Sequence, residues 1–196
     1  MSTAHPRVAT PTAPRSTPVR PWALAAWIAL GAATGAVAFL PSGDGEGPTS
    51  MQPTTVIGIA VLSYLAAAVA GRRWVGWAAA GAFAVLVVLT EVLDIPRTAV
   101  FVASAVLLTG VGLVIRPRLT VPQALAVAGY LGVALLALLL EPRVGLAVAG
   151  LALAAHVAWD ILHLRRDAIV TRSLALWCIG LDLVVGGACV IAAVTG

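Results

Sequence analysis

Residues 98–115 read TAVFVASAVLLTGVGLVI, and this run holds no ionisable side chain over 18 consecutive positions. A helix rises about 1.5 Å per residue, so a run of this length crosses the roughly 30 Å hydrocarbon core of a bilayer. Six other predominantly apolar runs of 18 to 22 residues flank it, at 22–40, 54–71, 74–93, 121–140, 144–163 and 173–194. The sequence therefore predicts an all-α, polytopic integral membrane bundle of seven transmembrane helices.

The composition of the whole chain agrees with a lipid environment. Its 196 residues are 61% hydrophobic and 10% charged, with a mean hydropathy of +1.02. Soluble domains are about half apolar and about one quarter charged, so a water-soluble globular protein is excluded. Membrane-spanning strands would need segments of roughly ten residues with alternating hydrophobicity, and that alternation is absent. The expected partner is the lipid bilayer.

The basic residues predict the orientation of the chain. All twelve are arginines, and they lie mostly between the apolar runs, as topology signals do, so no nucleic acid partner is expected. If the N-terminus is cytoplasmic, ten arginines lie inside and only Arg97 and Arg143 lie outside. This bias predicts a multi-pass protein of the cell inner membrane, with its N-terminus in the cytoplasm and its C-terminus outside.

The start of the first apolar run divides the chain into two predicted parts. Residues 1–21 are rich in Pro, Thr and Arg and contain no acidic residue, which is typical of a disordered tail. Residues 22–196 then form a single transmembrane domain, with a Gly- and Pro-rich acidic loop at 41–53. The first run could instead be a signal peptide cleaved after Ala36-Val37-Ala38. Its 19 residues exceed the roughly 7–15 of a usual signal-peptide core.

Proline and glycine indicate how the helices are bounded and packed. Pro96, Pro117 and Pro142 each stand where one helix must end and the next can begin. Glycines within the spans allow neighbouring helices to approach closely. We expect this packing role at Gly31, Gly35, Gly76, Gly81, Gly129, Gly132, Gly145, Gly150, Gly186 and Gly187.

Ionisable side chains inside the apolar runs are the candidate functional residues, because such groups are costly in lipid and normally face a bundle interior. The sixth run carries His156, Asp160 and His163 at i, i+4 and i+7, so all three share one helix face. The seventh run carries Asp182 between Cys178 and Cys189. These cysteines are about 16 Å apart along one helix, too far for a disulfide.

Folding the last two helices into a hairpin brings these side chains to similar depths. His156 falls level with Asp182, and Asp160 falls level with Cys178. We therefore expect the polar residues of the sixth run to face those of the seventh run, because the alternative leaves Asp182 near the middle of the bilayer against lipid.

Three interpretations of this candidate site remain open. The two histidines and two aspartates could bind a divalent metal ion, with Cys178 as a further possible ligand. The pairs His156–Asp182 and Asp160–His163 could form a proton relay or an acid/base pair. The residues could also form a structural polar clamp, with Asp160 near enough to pair with Arg165 or Arg166. Haem is disfavoured, because both histidines lie on one helix about 10 Å apart.

Other polar residues receive simpler interpretations. Glu91 and Asp94 near Arg97 predict an interfacial ion pair, with a cation entry site as the alternative. Five more polar residues within the spans could line a polar interior, namely Ser63, Tyr64, Thr90, Ser104 and Tyr130.

The string His156-Val157-Ala158-Trp159-Asp160-Ile161-Leu162-His163 resembles a His-x-x-Trp-Asp-x-x-His helix of uncharacterised small multi-pass bacterial membrane proteins. The resemblance covers roughly the last 50 residues, including the aspartate of the final helix, and implies no assigned activity. A second histidine often follows the string in those proteins, and Leu164 occupies that position here.

Three functions therefore stay open. The first is a metal-dependent or acid/base enzyme acting on a lipid-soluble substrate, with roles for His156, Asp160, His163 and Asp182. The second is a proton-linked small-solute carrier in which Asp182 and His156 titrate. The third is a non-catalytic membrane scaffold.

Overall fold

Seven helices make up almost all of residues 21–38 and 51–195, the part of the chain that the computed structural model describes. They are α1 (Pro21–Ala38), α2 (Met51–Ala70), α3 (Val75–Val92), α4 (Arg97–Ile115), α5 (Pro117–Ala137), α6 (Pro142–Arg166) and α7 (Arg172–Thr195). Each is long and apolar enough to cross a bilayer, and these two ranges contain no strand. The predicted all-α bundle of seven transmembrane helices is confirmed, and the chain is a multi-pass membrane protein.

Two predicted segments fall largely outside the described residues. The predicted disordered tail, 1–21, lies outside them except for Pro21, which begins α1. The predicted loop 41–53 lies outside them except for residues 51–53, which form the first turn of α2. The alternative cleavage site at Ala36-Val37-Ala38 lies at the end of α1.

The helix boundaries follow the prolines. Pro96 is the N-cap of α4, and α5 and α6 begin at Pro117 and Pro142. Proline suits the first helical position because its fixed φ is helical and the amide hydrogen it lacks would have no partner there. For this reason α5 starts at Pro117, four residues before the apolar run at 121. At its C-terminal end, α6 continues past the apolar run, from His163 to Arg166.

Helix α2 lies at the centre of the bundle, where it contacts α3, α4, α5, α6 and α7, while α7 packs mainly against α6 and α1. The buried core contains Ile57, Leu62 and Leu65 of α2, with Phe101, Leu131, Leu153 and Val185 from the surrounding helices. Large apolar side chains such as Val106, Leu107 and Val114 of α4 are exposed. An apolar exterior of this kind is what a bilayer requires.

Glycines permit the closest helix contacts around α7. A side chain built at Gly31 would overlap the carbonyl oxygen of Trp177, and one built at Gly180 would overlap that of Ile28. In the α6–α7 contact, a Cβ at Gly150 would lie 2.9 Å from the carbonyl oxygen of Gly186. The predicted packing role is thus confirmed for Gly31, Gly150 and Gly186, and Gly180 has the same role although it was not among the predicted positions. It does not hold for four other predicted positions, which have open space where a Cβ would stand: Gly81, Gly129, Gly132 and Gly187.

Polar contacts hold the α2–α3 turn against the α6–α7 turn. Arg73 forms an ion pair with Asp167, and its Nε donates to the carbonyl of Val170 at 3.0 Å. Trp77 Nε1 donates to the hydroxyl of Ser173 at 3.1 Å. Asp167 closes α6 in the left-handed conformation, with φ at 47°. These contacts fix the position of the hairpin that carries the candidate site.

The interfacial ion pair predicted near Arg97 forms with Glu91. The Arg97 guanidinium also donates to the hydroxyl of Thr55 at 2.7 Å, which ties the start of α4 to α2. Asp94 lies in the α3–α4 turn with φ at 51°.

Candidate functional site

The last two helices do turn their titratable side chains toward one point. His156 of α6 and Asp182 of α7 are both completely buried, and Nδ1 of the histidine lies 2.8 Å from Oδ2 of the aspartate. Asp160, one turn along α6, is also completely buried, and its Oδ2 lies 3.5 Å from the same Nδ1. The close approach of α6 and α7 at Gly150 and Gly186 makes this meeting possible.

Tyr64 completes the polar cluster from the central helix. Its hydroxyl donates to Oδ1 of Asp160 at 2.6 Å, and its side chain is 1% exposed. Its ring meets the His156 imidazole edge-on, with ring centroids 5.9 Å apart. The predicted polar interior position of Tyr64 is confirmed, and the cluster joins three helices: α2, α6 and α7.

The cluster contains three buried polar atoms without a hydrogen-bond partner in the described part of the chain. They are Nε2 of His156, Oδ2 of Asp160 and Oδ1 of Asp182. An ionised carboxylate can only accept, so beside an ionised Asp182 the shared hydrogen is on Nδ1 of His156, and Nε2 keeps its lone pair if the ring is neutral. Buried polar groups are normally satisfied, so three unsatisfied polar atoms at one place require an explanation.

His156, Asp160 and Asp182 lie close enough together to hold one ion. One potential ligand atom from each of the three residues lies within 4.8 Å of the others. The imidazole nitrogen nearest to both carboxylates is Nδ1. An imidazole nitrogen with two carboxylate oxygens is a donor set used for first-row divalent ions.

A small cavity adjoins the cluster on the side of α2 and α3. Its volume is about 70 Å³, and Ser63, Cys178 and Asp182 are among its lining residues. This volume has room for water. Cys178 itself is buried and free, as is Cys189.

His163 makes no hydrogen bond with the His156 cluster, although its ring packs edge-on against Tyr64 with ring centroids 4.8 Å apart. Its Nδ1 donates to the carbonyl of Trp159 at 2.9 Å, and its Nε2 lies 3.0 Å from Nε2 of Gln123 in α5. A carbonyl can only accept, so the hydrogen of the neutral ring is on Nδ1 and the Gln123 amide donates to Nε2. Both nitrogens are therefore occupied by protein groups, and neither the predicted Asp160–His163 pair nor a ligand role appears here.

The expected contact of Asp160 with the arginines also does not form. Among the described residues, no ion pair joins Asp160 to Arg165 or Arg166. The reason is geometric: both carboxylate oxygens of Asp160 face the buried cluster, one toward Tyr64 and one toward His156.

Tyr130 borders the cluster from α5. Its ring meets the His156 imidazole edge-on at a centroid distance of 5.0 Å, and its hydroxyl donates to the carbonyl of Ala155 at 3.2 Å. From the sequence, Tyr64 and Tyr130 could be identified only as polar residues within apolar helices, and Gln123 had no predicted role. The partners of all three residues lie on other helices, so they depend on how the bundle packs.

No protein-family model matches the chain, and neither a curated protein nor a solved structure shows significant similarity to it. The resemblance to small bacterial proteins with a His-x-x-Trp-Asp-x-x-His helix stays a prediction. The functional argument therefore rests on the geometry of His156, Asp160 and Asp182.

Proposed function

We propose that this membrane protein holds a divalent metal ion with His156, Asp160 and Asp182 and acts as an enzyme on a lipid-soluble substrate. The observation that carries the proposal is the set of three completely buried side chains, each with a polar atom that has no hydrogen-bond partner among the described residues. A clamp serving only to fix helix positions would be expected to satisfy its own polar atoms.

Charge balance supports a cation at this point. Two ionised carboxylates in the bilayer interior are costly unless they are neutralised by pairing or by a metal. Among the described residues, the ionisable partner near the Asp160 and Asp182 carboxylates is His156 alone, which is shared between them and must be neutral to bind a metal ion. A divalent ion would offset both negative charges without requiring a cationic side chain.

Each residue of the cluster has a defined role in this proposal. His156, Asp160 and Asp182 would hold the ion, and the Tyr64 hydroxyl orients Asp160 through its 2.6 Å bond. Three protein ligands leave a position for water or substrate, as in catalytic rather than structural metal sites. The ion would polarise a substrate oxygen or activate a bound water.

Elemental analysis of the purified protein tests the proposal. We expect about one transition-metal ion per chain in the wild type, and loss of most of it in His156→Gln, because an amide is a poor substitute for the imidazole ligand. The matched control is His163→Gln on the same helix, which should retain the metal. Absence of metal from the wild type, or equal metal content in both variants, would contradict the proposal.

The buried, hydrogen-bonded pair of His156 and Asp182 favours a second candidate function, a proton-linked carrier. Nδ1 of His156 lies 2.8 Å from the Asp182 carboxylate, so a proton could pass between these two titratable groups within the membrane. A wild-type protein that lacks metal but supports pH-dependent solute flux in proteoliposomes, abolished by Asp182→Asn, would favour the carrier over the enzyme.

We further propose that the chain lies in the cell inner membrane with its N-terminus in the cytoplasm. The Arg73 contacts to Asp167 and Val170 bring two turns to one end of the bundle, and Gly71 packs against Arg116 of a third turn. Seven described arginines lie at or beside these turns: Arg72, Arg73, Arg116, Arg118, Arg165, Arg166 and Arg172. By the positive-inside rule this end faces the cytoplasm.

Reporter fusions measure this orientation directly. Alkaline phosphatase fused after Thr195 should be active, because the enzyme matures only outside the cytoplasm, whereas a fusion in the α6–α7 turn should be inactive. The reverse pattern would overturn the proposed orientation.

A further inference from the structure

A groove lies between α5 and α6, directly outside the His156 cluster. Its volume is about 610 Å³, and its lining is apolar apart from Tyr130 and Trp159. Leu125 and Leu151, on its two walls, are 69% and 59% exposed, so the groove opens sideways from the bundle. Both walls belong to membrane-spanning helices, so what reaches this groove is the hydrocarbon region of the bilayer.

Tyr130 connects the groove to the cluster. The tyrosine lines the groove, and its ring also lies against His156 with a centroid distance of 5.0 Å. A bound molecule is therefore separated from the buried imidazole by one aromatic ring, whose hydroxyl is held only by a 3.2 Å bond to the Ala155 carbonyl.

Trp159 lines the groove from the α6 side. Its indole also packs against His163, with ring centroids 4.7 Å apart. Because its Nε1 is buried, Trp159 contributes aromatic surface to the groove rather than an accessible donor.

The apolar length of the groove fits an extended hydrocarbon chain. Its lining runs over residues 125–133 of α5 and 148–159 of α6, which corresponds to roughly 12–16 Å along the helices. Gly129 contributes open space, since nothing lies within 4 Å of where its Cβ would stand. Apart from the polar groups of Tyr130 and Trp159, the lining of the groove is apolar.

A second groove on the other side of α5 lacks these polar features. It lies between α4 and α5, has a volume of about 540 Å³ and includes Gly132, which also has open space at its Cβ position. Its lining contains neither Tyr130 nor Trp159 and touches no residue of the cluster. This second groove therefore serves as a control, because any lipid that contacts it does so without contacting the cluster.

We propose that the α5–α6 groove binds the hydrocarbon chain of the substrate lipid and presents its polar end to Tyr130 and the His156 cluster. This inference rests on the proposed enzymatic function, and it specifies the substrate class as a chain-bearing amphiphile that enters laterally from the bilayer. Tyr130 positions that polar end at the boundary between the groove and the buried cluster.

Photolabelling tests the groove with a defined probe, palmitic acid carrying a diazirine in its chain. In the wild type, labelling of the peptides around Tyr130 and Trp159 should saturate and should be displaced by excess palmitic acid. Gly129→Leu should lower this saturable labelling at least several-fold, because the new side chain occupies the groove without meeting protein atoms. The matched control, Gly132→Leu, fills the second groove and should leave the labelling unchanged.

The outcomes separate this inference from the proposed function. Labelling that does not saturate, that is equal in both grooves, or that is indifferent to Gly129→Leu would overturn the substrate groove, whatever the metal content. Metal content is measured on the same preparations, and Gly129→Leu should retain the ion because Gly129 does not contact the cluster. Saturable labelling in a protein without metal would support the groove while rejecting the metal-dependent enzyme.

Discussion

Asp182→Leu is expected to lower the free energy of unfolding by about 1–3 kcal/mol, the cost of leaving a buried donor without its acceptor. The substitution leaves Nδ1 of His156 without its 2.8 Å acceptor in a completely buried position. Reversible unfolding in mixed detergent micelles measures this loss. The control is Leu183→Ala on the exposed side of the same helix, which should remain within about 0.5 kcal/mol of wild type.

The double variant His156→Leu with Asp182→Leu distinguishes a pairwise interaction from a general packing defect. Replacing both groups leaves no unpaired member of this pair, so the double variant should be more stable than the sum of the single losses predicts. We expect a coupling free energy of about 0.5–3 kcal/mol between the two positions. Strictly additive losses would mean that the pair does not stabilise the hairpin.

Gly31→Leu is the second change with a large expected effect. The leucine would overlap the Trp177 carbonyl, so α1 would have to move away from α7 along the whole contact. Overpacking a well-packed site usually costs about 1–3 kcal/mol, and displacement of an entire helix should place this variant at or above that range. Gly180→Leu should behave alike, because the overlap there is with the Ile28 carbonyl of the same interface.

Gly81→Leu provides the control for the glycine substitutions. Nothing lies within 4 Å of a Cβ at Gly81, so this variant should fold as well as wild type. Detergent-resistant folded protein, measured by thermal unfolding with size-exclusion chromatography, reports the difference. A stable, monodisperse Gly31→Leu protein would show that α1 does not depend on its contact with α7.

The number and approximate bounds of the helices could be predicted from the sequence because the bilayer leaves few choices. An apolar run such as 98–115 has no other stable form in lipid than a helix, and prolines such as Pro117 mark where helices begin. The short connection between α6 and α7 predicted a hairpin. His156 and Asp182 are equally far from that connection along the sequence, so the hairpin was predicted to place them at the same depth. That alignment is confirmed by the bond between them.

The remainder of the site depended on contacts between helices that are distant in sequence. Tyr64 is 96 residues from Asp160, and no periodicity within either helix identifies that pair. The different roles of the two histidines had the same origin. His156 and His163 share a helix face, yet only His163 is hydrogen-bonded to Gln123 of α5, and its ring packs against Tyr64 without a hydrogen bond to the cluster.

Glycine composition likewise could not distinguish tight contacts from open space. Gly31 and Gly129 both occupy apolar helices, but the first meets the backbone of α7 and the second opens into a groove. The difference depends on which neighbour faces each residue, and that is decided by the arrangement of the whole bundle.

The division of the cluster between α6 and α7 has a consequence for biosynthesis. Helix α6 leaves the ribosome ahead of α7, and the cluster can close only after both helices have entered the membrane. Until α7 docks, Tyr64 of the earlier-made α2 is available as a partner for Asp160. An insertion intermediate that stops at this stage leaves His156 without its Asp182 acceptor among apolar helices, where an unpaired polar group is costly.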